Sequence, residues 1–293
     1  MKRLNIHPIL FSLLSFTIMF SSCEKEISLD FHKIESNYVI DGDVTPQEIK
    51  VQISQTQDVL ATNKPQPFTK AKVQLIQTNG DQQQIIPLSA DTDGIFRPLS
   101  PVTATIGSTY ELQTTLNGET YLANSHLYDL GSLTEPYFEW TKVNSSLDML
   151  FLRFTFMDIP NENNFYYIKV YRNSRLFGEQ YLNDKEKDGK NIQADLFCTT
   201  NTLMDDADYE ENKYDESYLF NKDTLIIHIS SLDKDAYDYL ESVRTATNNG
   251  GDPYKMFVKE SDLKEAPNIL GYFSAYTEQI DTLIYYEDQI KKP

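Results

Sequence analysis

From Tyr38 onward the chain alternates, and that alternation limits it to sheets. Ile49, Val51 and Ile53 fall on one side of an extended segment while Lys50, Gln52 and Ser54 fall on the other. This is the period-two pattern of a strand with one dry and one wet face. The pattern returns in Val73, Leu75 and Gln77, then in Tyr110, Leu112 and Thr114, and Tyr121 and Ala123 lead out of it. Asn79-Gly80 and Asn117-Gly118 are hairpin dipeptides, and Asp91-Thr92-Asp93-Gly94 makes a further turn before Ile95-Phe96. Seven or so short strands, with a turn signal about every ten residues, predict an immunoglobulin- or transthyretin-like β-sandwich over residues 37–131.

A shift near Gly131-Ser132 marks the start of a second antiparallel β domain, residues 132–293. Its expected strands cover 134–143, 147–158, 165–172, 176–182, 192–199, 223–230 and 272–286, the last a ribbon broken near 279–281. Leu150, Leu152, Phe154 and Phe156 share one face of their strand, and Phe151, Arg153 and Thr155 share the other, so this strand is expected to pack on both sides. One helix is expected at about 231–248, capped by Ser230 or Ser231 and ended by Gly250-Gly251. Its stripe of Leu232, Ala236, Leu240 and Val243 suits packing on the second sheet. Residues 252–269 then read as a long aromatic loop, a class of loop that tends to carry function.

The N-terminus gives an address. Lys2 and Arg3 precede an apolar run at 9–20, then Ser21-Ser22 and Cys23. The run is short of the roughly 20 residues that a membrane-crossing helix needs, and the layout is that of an export signal. Residues 1–22 are therefore expected to be a cleaved lipoprotein signal peptide, Cys23 the lipidated residue, and 23–36 a tether. Phe20 stands where the usual lipobox carries Leu. Several acyl chains, each contributing about 0.8 kcal/mol per buried CH₂, exceed what stable anchoring requires.

Removing that segment leaves 24 basic against 44 acidic side chains. Such a chain is a poor match for nucleic acid, whose binding depends on Lys and Arg neutralising phosphates. Cys198 then has no intramolecular cysteine partner and sits in an expected strand, which predicts a buried inert thiol. The histidines and cysteines show no zinc spacing.

Candidate sites follow from the acidic residues and the tyrosines. Asp91, Asp93 and Gly94 have the spacing that opens a calcium loop, but Ile95-Phe96-Arg97-Pro98 supplies no later oxygen ligand, so a hairpin turn is the better reading. Asp205, Asp206 and Asp208 lie in the densest acidic run and are the weak metal candidates. Tyr209, Tyr214 and Tyr218, interleaved with that run, are partner-contact candidates, as are Tyr254 and Phe257 in the aromatic loop. Tyr272, Phe273, Tyr276, Tyr285 and Tyr286 suit core packing better than sugar stacking. No G-x-S-x-G elbow occurs, and no pair of carboxylates stands out for glycoside hydrolysis. No cofactor and no catalytic residue is assigned.

Several motifs, taken in order, resemble one family. They are the lipobox, Val39-Ile40-Asp41-Gly42, Asp93-Gly94-Ile95-Phe96 and Gly107-Ser108-Thr109-Tyr110-Glu111-Leu112. Gly118-Glu119-Thr120-Tyr121, Gly250-Gly251-Asp252-Pro253, Pro267-Asn268-Ile269 and Gly271-Tyr272-Phe273-Ser274-Ala275 follow. Together they resemble the Bacteroidota lipoprotein family catalogued as domain of unknown function 4249. Asp43 and Leu270 depart from the residues usual there. The resemblance implies an outer-membrane lipoprotein, often encoded beside TonB-dependent transporters, with no established reaction. A Lys25 followed by an acidic residue resembles, in part, the surface-display signal of such lipoproteins.

The expectation is thus a non-enzymatic, lipid-anchored outer-membrane protein, accessory to a TonB-dependent transporter and exposed at the cell surface. The alternative is a stand-alone carbohydrate- or peptide-binding surface lipoprotein, and a hydrolase ranks last.

Overall fold

The computed structural model describes residues 37–57, 67–144, 147–200, 218–251 and 253–290. Its architecture is mainly β, sandwich-like, with one α-helix. Seven strands come first: β1 (Tyr38–Val44), β2 (Ile49–Gln55), β3 (Lys72–Asn79), β4 (Gln82–Ala90), β5 (Ile95–Pro98), β6 (Thr109–Leu116) and β7 (Glu119–His126). Hairpins dominate because the turn residues are where such turns need them. Asn117 and Gly118 have φ of 51° and 87°, the two left-handed residues of a type I′ turn. Asp91 accepts the Asp93 and Ile95 N–H groups at 2.9 and 3.0 Å and pairs with Arg97, so this segment is the β4–β5 hairpin turn.

All seven strands lie in one curled sheet, which two later strands complete: β15 (Val258–Lys259) and β16 (Ile269–Ala275). The order is β15-β7-β6-β3-β4-β5-β2-β1-β16. Strand β16 runs parallel to β1, placing Ile40 opposite Gly271 and Gly42 opposite Phe273. The alternation read from the sequence sets the inner face. Val51, Ile53, Leu75, Tyr110, Leu112 and Phe273 are buried together there, and each such side chain contributes about 1.5–3 kcal/mol by leaving water.

The remaining strands are β8 (Tyr137–Asn144), β9 (Leu147–Met157), β10 (Phe165–Arg172), β11 (Arg175–Asn183), β12 (Asn191–Thr200), β13 (Tyr218–Leu219), β14 (Thr224–Leu232) and β17 (Thr277–Ile284). They form two four-stranded sheets, β13-β12-β9-β8 and β11-β10-β14-β17. Leu150, Leu152, Phe154 and Phe156 of β9 pack in one core with Tyr166, Ile168 and Val170 of β10 and Leu225, Ile227 and Ile229 of β14. The other face of β9 is half-exposed, not packed as expected. There Arg153 pairs with Glu139 and Asp195, and Phe151 meets the exposed Phe197 edge to face. A chain rich in short β-strands leaves such a face wet when charged side chains occupy its centre.

The C-terminal ribbon divides at Tyr276, earlier than the break expected near 279–281. Before it, β16 joins the nine-stranded sheet, and after it, β17 pairs with β14. The sequence change near Gly131 therefore marks a change of sheet that the chain later crosses back over.

The helix, α1, spans Lys234–Asn249. Ser230 and Ser231 do not cap it, because both still belong to the β14–β17 ladder, opposite Glu278 and Thr277. Asp233 is the cap: its backbone is extended and its carboxylate accepts the Ala236 N–H at 2.8 Å. Ala236 and Tyr237 are the buried helix residues, packed with Phe165, Tyr167 and Tyr181 of the β10–β11 sheet and with Tyr272 of β16. The helix thus rests on both sheet systems, not on the second alone. No helix among the described residues is long and apolar enough to cross a membrane.

Candidate functional site

A group of buried polar side chains, Asp158, Asn164 and Asp184, lies where two loops meet. Residues 158–164 connect β9 to β10, and residues 184–190 connect β11 to β12. Each loop crosses from one four-stranded sheet to the other, so both close the same end of the two-layer core. Their sequences, Asp158-Ile159-Pro160-Asn161-Glu162-Asn163-Asn164 and Asp184-Lys185-Glu186-Lys187-Asp188-Gly189-Lys190, are turn-forming. Asn161 and Gly189 take the left-handed backbone that tight turns require.

One carboxylate oxygen from each of Asp158, Asp184 and Asp188 lies within 4.8 Å of the other two. Asp158 and Asp184 are buried, at 1 and 3% exposure, and Asp188 is exposed. Each carboxylate is held by the opposite loop or its strand. Asp158 accepts the Tyr166 hydroxyl at 2.5 Å and the Gly189 N–H at 2.8 Å. Asp184 accepts the Asn164 N–H at 3.0 Å, and Asp188 the Asn161 N–H at 2.8 Å. Burial raises the Asp158 pKa above the ordinary carboxylate value, the Tyr166 and Gly189 hydrogen bonds oppose that, and the charges of Asp184 and Asp188 add to it. Burial, followed by the Asp158 carboxylate, raises the Tyr166 hydroxyl in turn. Three acidic side chains and no imidazole or thiolate make an oxygen-only donor set.

A second buried polar junction surrounds Asp233. Besides capping α1 it accepts the Ser125 hydroxyl and, at 3.1 Å, the His126 N–H. Its role is structural, since every contact joins β7 to the helix start.

Beside the last turns of α1 an open depression of 430 Å³ is lined by Asp238, Glu241, Ser242, Thr245, Gly250 and Tyr254. Tyr254 is 41% exposed there, its N–H donating to Ser242 Oγ at 2.8 Å. Phe257, three residues on, is 1% exposed in the core of the nine-stranded sheet and offers no surface to a partner. The reason is local: β15 adds Val258 and Lys259 to the edge of β7, which turns Phe257 inward. Of the other sequence candidates, Tyr218 begins the short strand β13 and is half-buried opposite Thr199. Cys23, Asp205, Asp206, Asp208, Tyr209 and Tyr214 lie outside the described residues.

Phe273 and Tyr285 of the C-terminal ribbon are fully buried, as core packing requires. Cys198 is buried too, and burial pushes its thiol up to about 12. The aspartate cluster was invisible to sequence reasoning. Asp184-x-x-x-Asp188-Gly189 falls between two expected strands, 176–182 and 192–199, and Asp158 sits far from it along the chain. The nearest signal was an Asp at or just past the end of two expected strands, Asp158 closing 147–158 and Asp184 two residues beyond 176–182.

The family model described as "Domain of unknown function (DUF4249)" matches residues 24–281. No curated protein matches the chain.

Proposed function

This chain belongs to the DUF4249 family, and from that premise we propose that it is a non-enzymatic, lipid-anchored outer-membrane protein that serves as an accessory or binding subunit of a TonB-dependent transporter. The observation that carries the reading is at the N-terminus. Lys2-Arg3, the apolar run 9–20, Ser21-Ser22 and Cys23 have the layout of a lipoprotein signal, and the family match begins at the next residue, 24. A leader that ends where the family domain starts is what cleavage before Cys23 would produce. Acyl chains on Cys23 would hold the folded body at the membrane surface. Transporter association, and display on the outer face, are what the family resemblance implies.

The test is affinity isolation of the full-length protein from detergent-solubilised native outer membrane, with a Cys23→Ala control and protein identification by mass spectrometry. Stoichiometric recovery of a TonB-dependent channel is expected. Recovery of the protein alone would overturn the accessory role.

A second reading, a stand-alone carbohydrate- or peptide-binding lipoprotein, is favoured by the depression beside α1. There an exposed tyrosine stands among Asp238, Glu241 and Ser242, and an aromatic face combined with convergent polar groups is a common feature of ligand sites. A glycan and peptide array probed with the protein separates the two, and loss of a hit in Tyr254→Ala would locate it.

A further inference from the structure

We propose that Asp158, Asp184 and Asp188, together with the Asn164 carboxamide, form a calcium site that clasps the two four-stranded sheets at one end. The argument begins with charge. Two of the three carboxylates are buried, all three have an oxygen within 4.8 Å of the others, and among the described residues none of them forms an ion pair. Lys185, Lys187 and Lys190 share the loop, yet all three are exposed to solvent. Carboxylates gathered this way, two of them away from water and none with a counter-charge, repel one another unless a proton or a cation is shared between them. One shared proton would leave two negative charges in place, whereas a divalent cation neutralises two at once.

The second observation is independent of the cluster. Asn164 is 1% exposed, and both its side-chain oxygen and its side-chain nitrogen are buried without a hydrogen-bond partner. Native proteins rarely leave a buried carboxamide unpaired. Its main chain is tied to the site: its N–H donates to Asp184 Oδ2 at 3.0 Å, and its carbonyl accepts the Asp184 N–H at 3.2 Å. Two residues further along the same strand direction is Tyr166, buried on that same face, whose hydroxyl touches Asp158. The orphaned carboxamide is therefore directed to the side where the carboxylates converge. A cation would take its oxygen, and a cation-bound water would accept from its amide.

Donor chemistry selects the ion. Calcium takes six to eight oxygens in flexible geometry, from carboxylates, amide carbonyls and water, while magnesium demands a tight octahedron and keeps its waters. Zinc prefers nitrogen and sulfur ligands, and none is present in this set. The consequence is mechanical. Loop 158–164 leads from the β9 sheet to the β10 sheet and loop 184–190 leads back, so an ion bound between them would pin both crossings at once.

The experiment uses the full chain, stripped with a chelator, and titrated with terbium as a luminescent calcium substitute excited through tyrosine. Tyr166 lies close enough to sensitise the ion. Saturable emission is expected, displaced by calcium and not by equal magnesium, with a calcium-dependent rise in melting temperature. Asp188→Asn is the decisive variant, because Asp188 is exposed and an asparagine oxygen still accepts the Asn161 N–H, so folding is preserved. It should weaken calcium at least tenfold and abolish the calcium-dependent melting shift. Tyr166→Phe should cut the emission while calorimetry still detects calcium. Absence of emission and of any melting shift at millimolar calcium would overturn the proposal. So would binding that Asp188→Asn leaves unchanged, which would place the ion elsewhere in this acidic chain.

Discussion

The Ala275 main-chain N–H donates to the Ser125 hydroxyl at 2.7 Å, joining residues 150 apart. Ser125 belongs to β7, second from one end of the nine-stranded sheet, and Ala275 to β16 at the other end, so this bond marks where the curled sheet meets itself. The Ser125 hydroxyl in turn donates a hydrogen bond to Asp233, the cap of α1, and all three groups are buried. One hydroxyl thereby links the sheet edge at β16 to the start of the helix.

Ser125→Ala should accordingly destabilise the protein by about 2–3 kcal/mol, since it orphans both a buried N–H and part of a buried carboxylate shell. Urea denaturation followed by tryptophan fluorescence checks this; the midpoint should fall with little change in slope.

Asp233 has its pKa raised, chiefly by burial, against the hydrogen bonds from Ser125, Ala236 and His126. In the window between the ordinary carboxylate value and the raised one, the folded chain holds more protons than the unfolded chain. Stability from this group therefore falls as pH rises through that window. Asp233→Asn should be less stable at every pH, because its NH₂ faces the His126 N–H, yet its melting temperature should vary less between pH 4 and pH 7. A pH dependence as steep as that of the native chain would show that the slope arises elsewhere.

Gly271 has φ of +119°, and a Cβ there would stand 2.0 Å from the Ile40 carbonyl oxygen in the paired strand β1. Gly271→Ala should cost on the order of 4 kcal/mol and open the β1–β16 pairing. Gly80 is also left-handed but has open space around it, so Gly80→Asn should change stability by less than about 1 kcal/mol. Thermal melts of the two variants make the comparison.

In a Cys23→Ala background Cys198 should resist an aromatic disulfide reagent at pH 8, because the thiolate that reacts is suppressed by burial. Full labelling should appear in denaturant, and labelling of the native protein within minutes would contradict a packed site.

Much of the local structure was legible. The wet–dry alternation of Ile49, Val51 and Ile53 and the Asn117-Gly118 turn reflect steric rules that act within a few residues, so they could be read directly. The helix cap was misplaced because the end of a strand ladder, set by pairing with β17, decided where Ser230 and Ser231 belong. Phe257 reads as a surface aromatic in the sequence because nothing near it reveals the edge of β7 that receives its neighbours. The break at Tyr276 was missed for the same reason: β16 and β17 have continuous strand character and differ only in their partners. The aspartates of the loop cluster were each visible, but their convergence was not.

The sequence by itself determined most of the strands and turns, the inward faces and the buried position of Cys198, because backbone sterics and side-chain period act locally. Only the tertiary structure decided that β1 and β16 are neighbours, that α1 bridges two sheet systems and that Asp158 meets Asp184 and Asp188. Those outcomes depend on which distant segments pair once apolar faces are buried, and that choice is made by the summed packing of the whole chain.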